Sequence, residues 1–153
     1  MKALRWFVMA AVLVTGATVA RAEQGLSLSV AAGPAHDTSA TGSVGSAGVV
    51  RVGWRFASGF EAMAVALPLI DLVDEDAPSH AFGAGARTSC TIGAWEPYLE
   101  ASALAASDGP AALVGGGIGW MIAPQLRVGL FADALIGTGP TVILEGLELV
   151  RQF

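Results

Sequence analysis

Past residue 24 the chain is punctuated by clusters of Gly, Pro, Asp and Ser into eight stretches of strand length. Their approximate limits are 25–36, 46–56, 60–70, 80–92, 95–106, 112–122, 126–136 and 141–153. Opposed residues of a hairpin share a face, so each turn fixes which side chains meet. A two-residue turn at Gly93-Ala94 suits a glycine-first bend. It sets Ile92 against Trp95, Arg87 against Glu100 and Ser89 against Tyr98. The other face then carries Phe82, Ala84, Ala86, Leu99, Ala101 and Ala103, a surface fit for lipid. A turn at Ala57-Ser58-Gly59 opposes Phe56 to Phe60 and Arg55 to Glu61. One at Ala123-Pro124-Gln125 opposes Ile122 to Leu126, Gly117 to Phe131 and Gly115 to Asp133, where glycine leaves room for a ring in a narrow lumen.

The connectors alternate in character. Three are very short, at 57–59, 93–94 and 123–125, and the others, at 37–45, 71–79, 107–110 and 137–140, are longer or more polar. This pattern predicts an all-β fold: an eight-stranded antiparallel up-and-down transmembrane β-barrel with both termini on the short-turn side. The inward set is Arg51, Arg55, Glu61, Arg87, Glu100, Arg127, Asp133 and Glu148, four cations and four anions. In a barrel of this size side chains fill the interior, so the set predicts a neutral ion-paired plug without an open pore. The competing reading puts the same charges on the solvated face of a secreted sandwich. Trp54, Phe56, Phe60, Trp95 and Trp120 fall near the short turns, as an interfacial aromatic girdle does.

The first 22 residues read differently. Two cations among residues 1–5, an apolar run from Trp6 to Val14 and the tripeptide Ala20-Arg21-Ala22 have the form of a secretory signal peptide. The expected division is therefore 1–22 signal peptide and 23–153 barrel domain. Cleavage leaves five arginines, at 51, 55, 87, 127 and 151, against 13 acidic residues. Such a charge excludes nucleic-acid binding, which needs cations to neutralise phosphates. The hydrophobic fraction of 54% raises the possibility of inner-membrane helices. A spanning helix needs roughly 20 apolar residues in a row. The best stretches after the leader, 111–124 and 128–144, are too short or are broken by Asp133, Gly137, Gly139 and Pro140. The single cysteine, Cys90, forms no internal disulfide and is not a lipid-attachment site; its place is on the lipid face as a small apolar filler.

The last strand ends Leu147-Glu148-Leu149-Val150-Arg151-Gln152-Phe153. With Leu147, Leu149 and the terminal Phe153 it resembles the C-terminal assembly signal of outer-membrane proteins, although Arg151 and Glu145 put charges where that signal is apolar. Gly53-Trp54-Arg55-Phe56, Trp95-Glu96-Pro97-Tyr98-Leu99 and Gly117-Ile118-Gly119-Trp120 are similar to phrases of the small outer-membrane barrels of the OmpA-barrel, OmpX and OmpW-like group. The resemblance implies a monomer in the outer membrane of a Gram-negative bacterium. Its implied partners are the membrane lipids and, through the last strand, the barrel-assembly machinery. Members of that group differ in activity, so the role implied is only structural or surface-interacting.

Catalytic chemistry is sparse. His36 and His80 lie near the longer loops with Ser79, Asp37 and the acidic run at 74–76, a grouping that could support acyl transfer on lipid A. No His-x-Ser strand motif accompanies them, and adjacent Ser79 and His80 on a strand would point to opposite faces. The acidic loop 71–76 could attract a divalent cation but lacks the spacing of a calcium loop, and the glycines at 115–119 have no phosphate-loop partner. No cofactor is expected. A soluble, lipocalin-like exported barrel that binds an apolar molecule is the third reading.

Overall fold

The computed structural model describes residues 24–38, 44–56, 59–71 and 78–153. The leader at 1–22 and the acidic positions 74–76 lie outside the described residues. Eight strands follow in chain order: β1 (Gly25–Asp37), β2 (Val44–Arg55), β3 (Phe60–Asp71), β4 (Ala81–Ser89), β5 (Trp95–Ala106), β6 (Gly109–Ala123), β7 (Leu126–Ile136) and β8 (Val142–Gln152). Each pairs antiparallel with the next, and β1 pairs with β8 to close the barrel. Most strands meet the roughly 9–11 residues that a tilted strand needs to cross a bilayer.

Period-two alternation explains the wall. Along β5 the even positions Glu96, Tyr98, Glu100, Ser102 and Leu104 are buried, while Trp95, Leu99, Ala101, Ala103 and Ala105 are exposed. The exterior is apolar around the barrel, with Leu99, Phe82, Leu130, Leu147, Val114 and Val52 all exposed. A soluble binding barrel would have the opposite arrangement, with polar groups outside and an apolar interior. No helix among the described residues is long and apolar enough to cross a membrane.

The hairpin registers hold along the strands and fail near some ends. Arg87 opposes Glu100, Ser89 opposes Tyr98, Gly115 opposes Asp133 and Gly117 opposes Phe131. Arg55 opposes Glu61, and Phe56 donates its N–H to the Phe60 carbonyl. Ile122 does not oppose Leu126, however. A register shift between Met121 and Ala123 pairs Ala123 with Leu126, so Ile122 is the extra residue of a bulge and the turn shrinks to Pro124-Gln125. Regular pairing in β4 stops at Ser89, not at residue 92, with one further bridge between Ile92 and Trp95. Gly59 and Gly93 have φ of 78° and 64°, a region that glycine enters without steric cost.

The loop-length pattern also needs correction. Ser107-Asp108 alone joins β5 to β6, because Gly109 and Pro110 already pair with Ala106 and Ala105. A second shift lies opposite Val49, between the pairs Val50–Ala66 and Gly48–Leu69. The extra β3 residue there keeps both Leu67 and Ile70 facing inward.

Candidate functional site: the barrel interior

The interior has two halves of different chemistry. Toward the longer loops it is hydrocarbon: Val49, Leu67, Leu113, Leu135, Val142 and Leu144 are each at most 2% exposed. Most of their strand neighbours outside are also apolar, Thr141 and Glu145 on β8 and its approach excepted, so the alternation carries little contrast there. Toward the short turns and the middle, the lumen is ionic. The expected inward charges Arg51, Glu61, Arg87, Glu100, Arg127, Asp133 and Glu148 are all buried, and Arg55 is nearly so. Besides Asp37, buried at the loop end of β1, a further carboxylate absent from the sequence-based set is buried here, Glu96. Its even number aligns it with Tyr98 and Glu100, which was the available signal.

Two arginines from different strands organise the centre. Arg51 on β2 donates from Nε to Glu100 Oε1 at 2.9 Å and from Nη2 to Asp133 Oδ2 at 2.5 Å. Arg87 on β4 takes the other oxygen of the same carboxylate, with Nε and Nη2 at 2.9 and 2.7 Å from Glu100 Oε2. Arg87 Nη2 also donates to Glu148 Oε1 at 2.7 Å, and Ser29 Oγ donates to that oxygen at 2.5 Å. Glu100, Glu148 and the two guanidiniums are thus each held by several partners, which a buried ion needs to offset desolvation, whereas Asp133 has one.

A second cluster sits nearer the turns. Glu96 accepts from Arg127 and, at Oε2, from Arg55 Nη1 at 3.1 Å, which also lies 2.9 Å from Oε1. Arg55 Nη2 continues to Ser89 Oγ at 3.1 Å. Although Arg55 and Glu61 are opposed in register, Glu61 takes its hydrogen bond from Ser27. The expected Arg55–Glu61 pairing is therefore replaced: the guanidinium reaches across the lumen to β5. A shallow hollow lined by Glu96, Gln125, Arg127 and Gln152 opens at this end.

Tyr98 joins the clusters. The Arg87 guanidinium carbon lies 3.9 Å from its ring centroid and that of Arg127 5.9 Å away, a geometry favourable for cation–π attraction. The ring has space because β6 presents glycine there; a Cβ at Gly117 would stand 2.7 Å from the Tyr98 hydroxyl oxygen. Gly115 and Gly119 similarly admit the side chains of Asp133 and Arg127. The room expected for Phe131 at Gly117 is thus used first by Tyr98.

Outside, Trp54, Phe56, Phe60, Trp95 and Trp120 are all exposed near the turns, with Trp95 and Trp120 centroids 4.9 Å apart and Phe56 and Phe60 5.9 Å apart. The last strand is locked at this end: Phe153 N–H donates to the Leu26 carbonyl at 2.8 Å, and the Arg151 guanidinium lies 5.4 Å from the Phe153 ring. Leu147 is exposed and Leu149 half-buried on the outer face.

The rim residues are dispersed. His36 Nε2 is 3.4 Å from Glu145 on the outer face. Ser79 and His80 do meet, with Oγ 3.0 Å from Nδ1, because they lie in a bend before β4 and not on a strand. Ser79 also receives Ser107 as a partner, its N–H donating to Ser107 Oγ at 2.9 Å. Among the described residues no carboxylate lies within ion-pair distance of His80, and His36 pairs elsewhere. The histidines, serine and acids thus form no single catalytic group there. Cys90 is exposed.

A closed eight-stranded wall with an apolar exterior and an aromatic belt defines a small transmembrane β-barrel. The fold is that of eight-stranded outer-membrane barrels. The chain is similar to the crystal structure of Neisserial surface protein A, at 15% identity and a TM-score of 0.64, over 84% of this chain and 97% of that one. It is also similar to a de novo designed transmembrane β-barrel, at 12% identity and TM-score 0.55, over 89% of this chain and 100% of the design. A third likeness is to the solution NMR structure of the designed barrel TMB2.3, at 15% identity and TM-score 0.51, over 85% of this chain and 95% of that one. No protein-family model matches the chain, and no curated protein resembles it in sequence.

Proposed function

We propose that this protein is a monomeric barrel of the Gram-negative outer membrane with a structural or surface-interaction role, its interior acting as a plug and not as a conduit. The observation that carries the reading is the filled lumen, hydrocarbon at the loop end and cross-linked by arginine and carboxylate below. Recognition then falls to the outer wall and the loops. Export by the 1–22 leader and insertion by the barrel-assembly machinery through the Phe153 strand complete the proposal.

The test has two parts. The native protein should fractionate with outer membranes and migrate differently before and after heating in detergent. Reconstituted in planar bilayers, it should give no steady conductance steps. Recovery as a soluble periplasmic monomer sinks the membrane assignment; reproducible channels sink the plug.

A lipid A-modifying role rests on one observation, the Ser79–His80 hydrogen bond. Exchange of His80 for alanine should leave lipid A composition unchanged under the first reading, and should abolish an acyl change under the second.

A further inference from the structure

Among the described residues the central cluster is one positive charge short. Two guanidiniums, Arg51 and Arg87, face three carboxylates, Glu100, Glu148 and Asp133. These three are not equally compensated. Glu100 accepts four hydrogen bonds, two from each arginine. Glu148 accepts from Ser29, Arg87 and Arg51. Asp133 accepts one, from Arg51 to Oδ2, while its Oδ1 is buried without a hydrogen-bond partner. A carboxylate oxygen left this way in a low-dielectric interior is costly, and a like charge next to it makes full ionisation of the group costlier still.

We infer that Asp133 is a buried cation-binding site and that the cation it takes is a proton, resident on Oδ1. The surroundings leave little choice of ion. Oδ1 rests against the β6 backbone at Gly115, so closely that a Cβ there would collide with it, and a metal's shell of several oxygens has no room. From β2 the group faces Arg51, from β4 Arg87, from β5 Glu100, from β8 Glu148 and from β6 only glycine. With the proton in place the central cluster holds two cations and two anions. The neighbouring Glu96, with Arg55 and Arg127, then offsets the Ser27-bonded Glu61, so the two clusters and Glu61 balance together.

Infrared spectroscopy of the folded, full-length protein in detergent tests this. At neutral pH the wild type should show one carbonyl stretch of a protonated carboxylic acid, absent from Asp133→Asn. Glu100→Gln should also lose the band, because two carboxylates then face two arginines and Asp133 ionises. A wild type without the band overturns the proposal, and that measurement needs no variant to fold. Persistence of the band in Asp133→Asn overturns it too, since the proton then sits elsewhere.

Discussion

Tyr98 lies across Gly117, its hydroxyl oxygen 2.7 Å and its Cζ 2.8 Å from where a Cβ on residue 117 would stand. The Leu130 carbonyl oxygen lies nearer still to the same position, and Arg87 rests on the ring with its guanidinium carbon 3.9 Å from the centroid. Gly117→Ala should therefore destabilise the folded barrel by about 1–3 kcal/mol, the usual range for overpacking a filled core. Gly48 is the control: a Cβ there would meet only the Ala31 carbonyl oxygen, at 4.0 Å. Urea titration in detergent, read by the heat-sensitive gel shift, should separate the two variants. Equal stability of both would show that the lumen has slack at Tyr98.

Removal of one member of the central cluster should cost more than loss of the rim pair. Arg87→Met strips Glu100 Oε2 of its donors and takes one from Glu148, so a loss of about 3–5 kcal/mol is expected for breaking a buried pair. His36 and Glu145 are 40% and 53% exposed at the rim, and Glu145→Gln should cost about 0–1 kcal/mol. The same unfolding assay measures both. A small effect of Arg87→Met would mean that water enters the cluster and screens it.

The aromatic belt predicts depth. Trp54, Trp95 and Trp120 are each about half exposed on the outer face near one end. In vesicles their fluorescence should be quenched more by bromine placed high on the acyl chain than by bromine near its end, as expected of interfacial tryptophan. Strong quenching from the bilayer centre would place the belt elsewhere and contradict the orientation.

Phe153 closes the seam with a backbone hydrogen bond to Leu26 and stacks with Arg151. Its deletion should lower the amount of heat-modifiable protein in outer membranes several-fold while the total exported chain is unchanged. An undiminished assembled fraction would remove Phe153 from the assembly role proposed for it.

The strand count, closure and hairpin registers were legible in the sequence because period two propagates from a turn without needing any tertiary information. Arg87 against Glu100 and Gly115 against Asp133 follow from numbering alone. What the pattern could not convey has physical causes. At Leu113-Val114 and Leu135-Ile136 both faces are apolar, so the hydrocarbon half of the lumen leaves no alternation to read. Bulges such as the one at Ile122 change the count without changing composition. Register also names opposed residues but not reach: Arg55 spans the lumen to Glu96, while its ladder partner Glu61 is satisfied by Ser27.

The buried ionic contacts join residues far apart in the chain, from Arg87 and Glu100 thirteen positions apart to Ser29 and Glu148 at 119. The last of these bridges β1 and β8, the strands whose meeting closes the wall. An open sheet with seven of its seams formed would still carry guanidiniums and carboxylates without their full set of partners, facing a bilayer that offers no substitutes. The electrostatic gain is complete only with the final seam, so insertion of this chain should proceed as a single concerted event with no stable half-built barrel along the way.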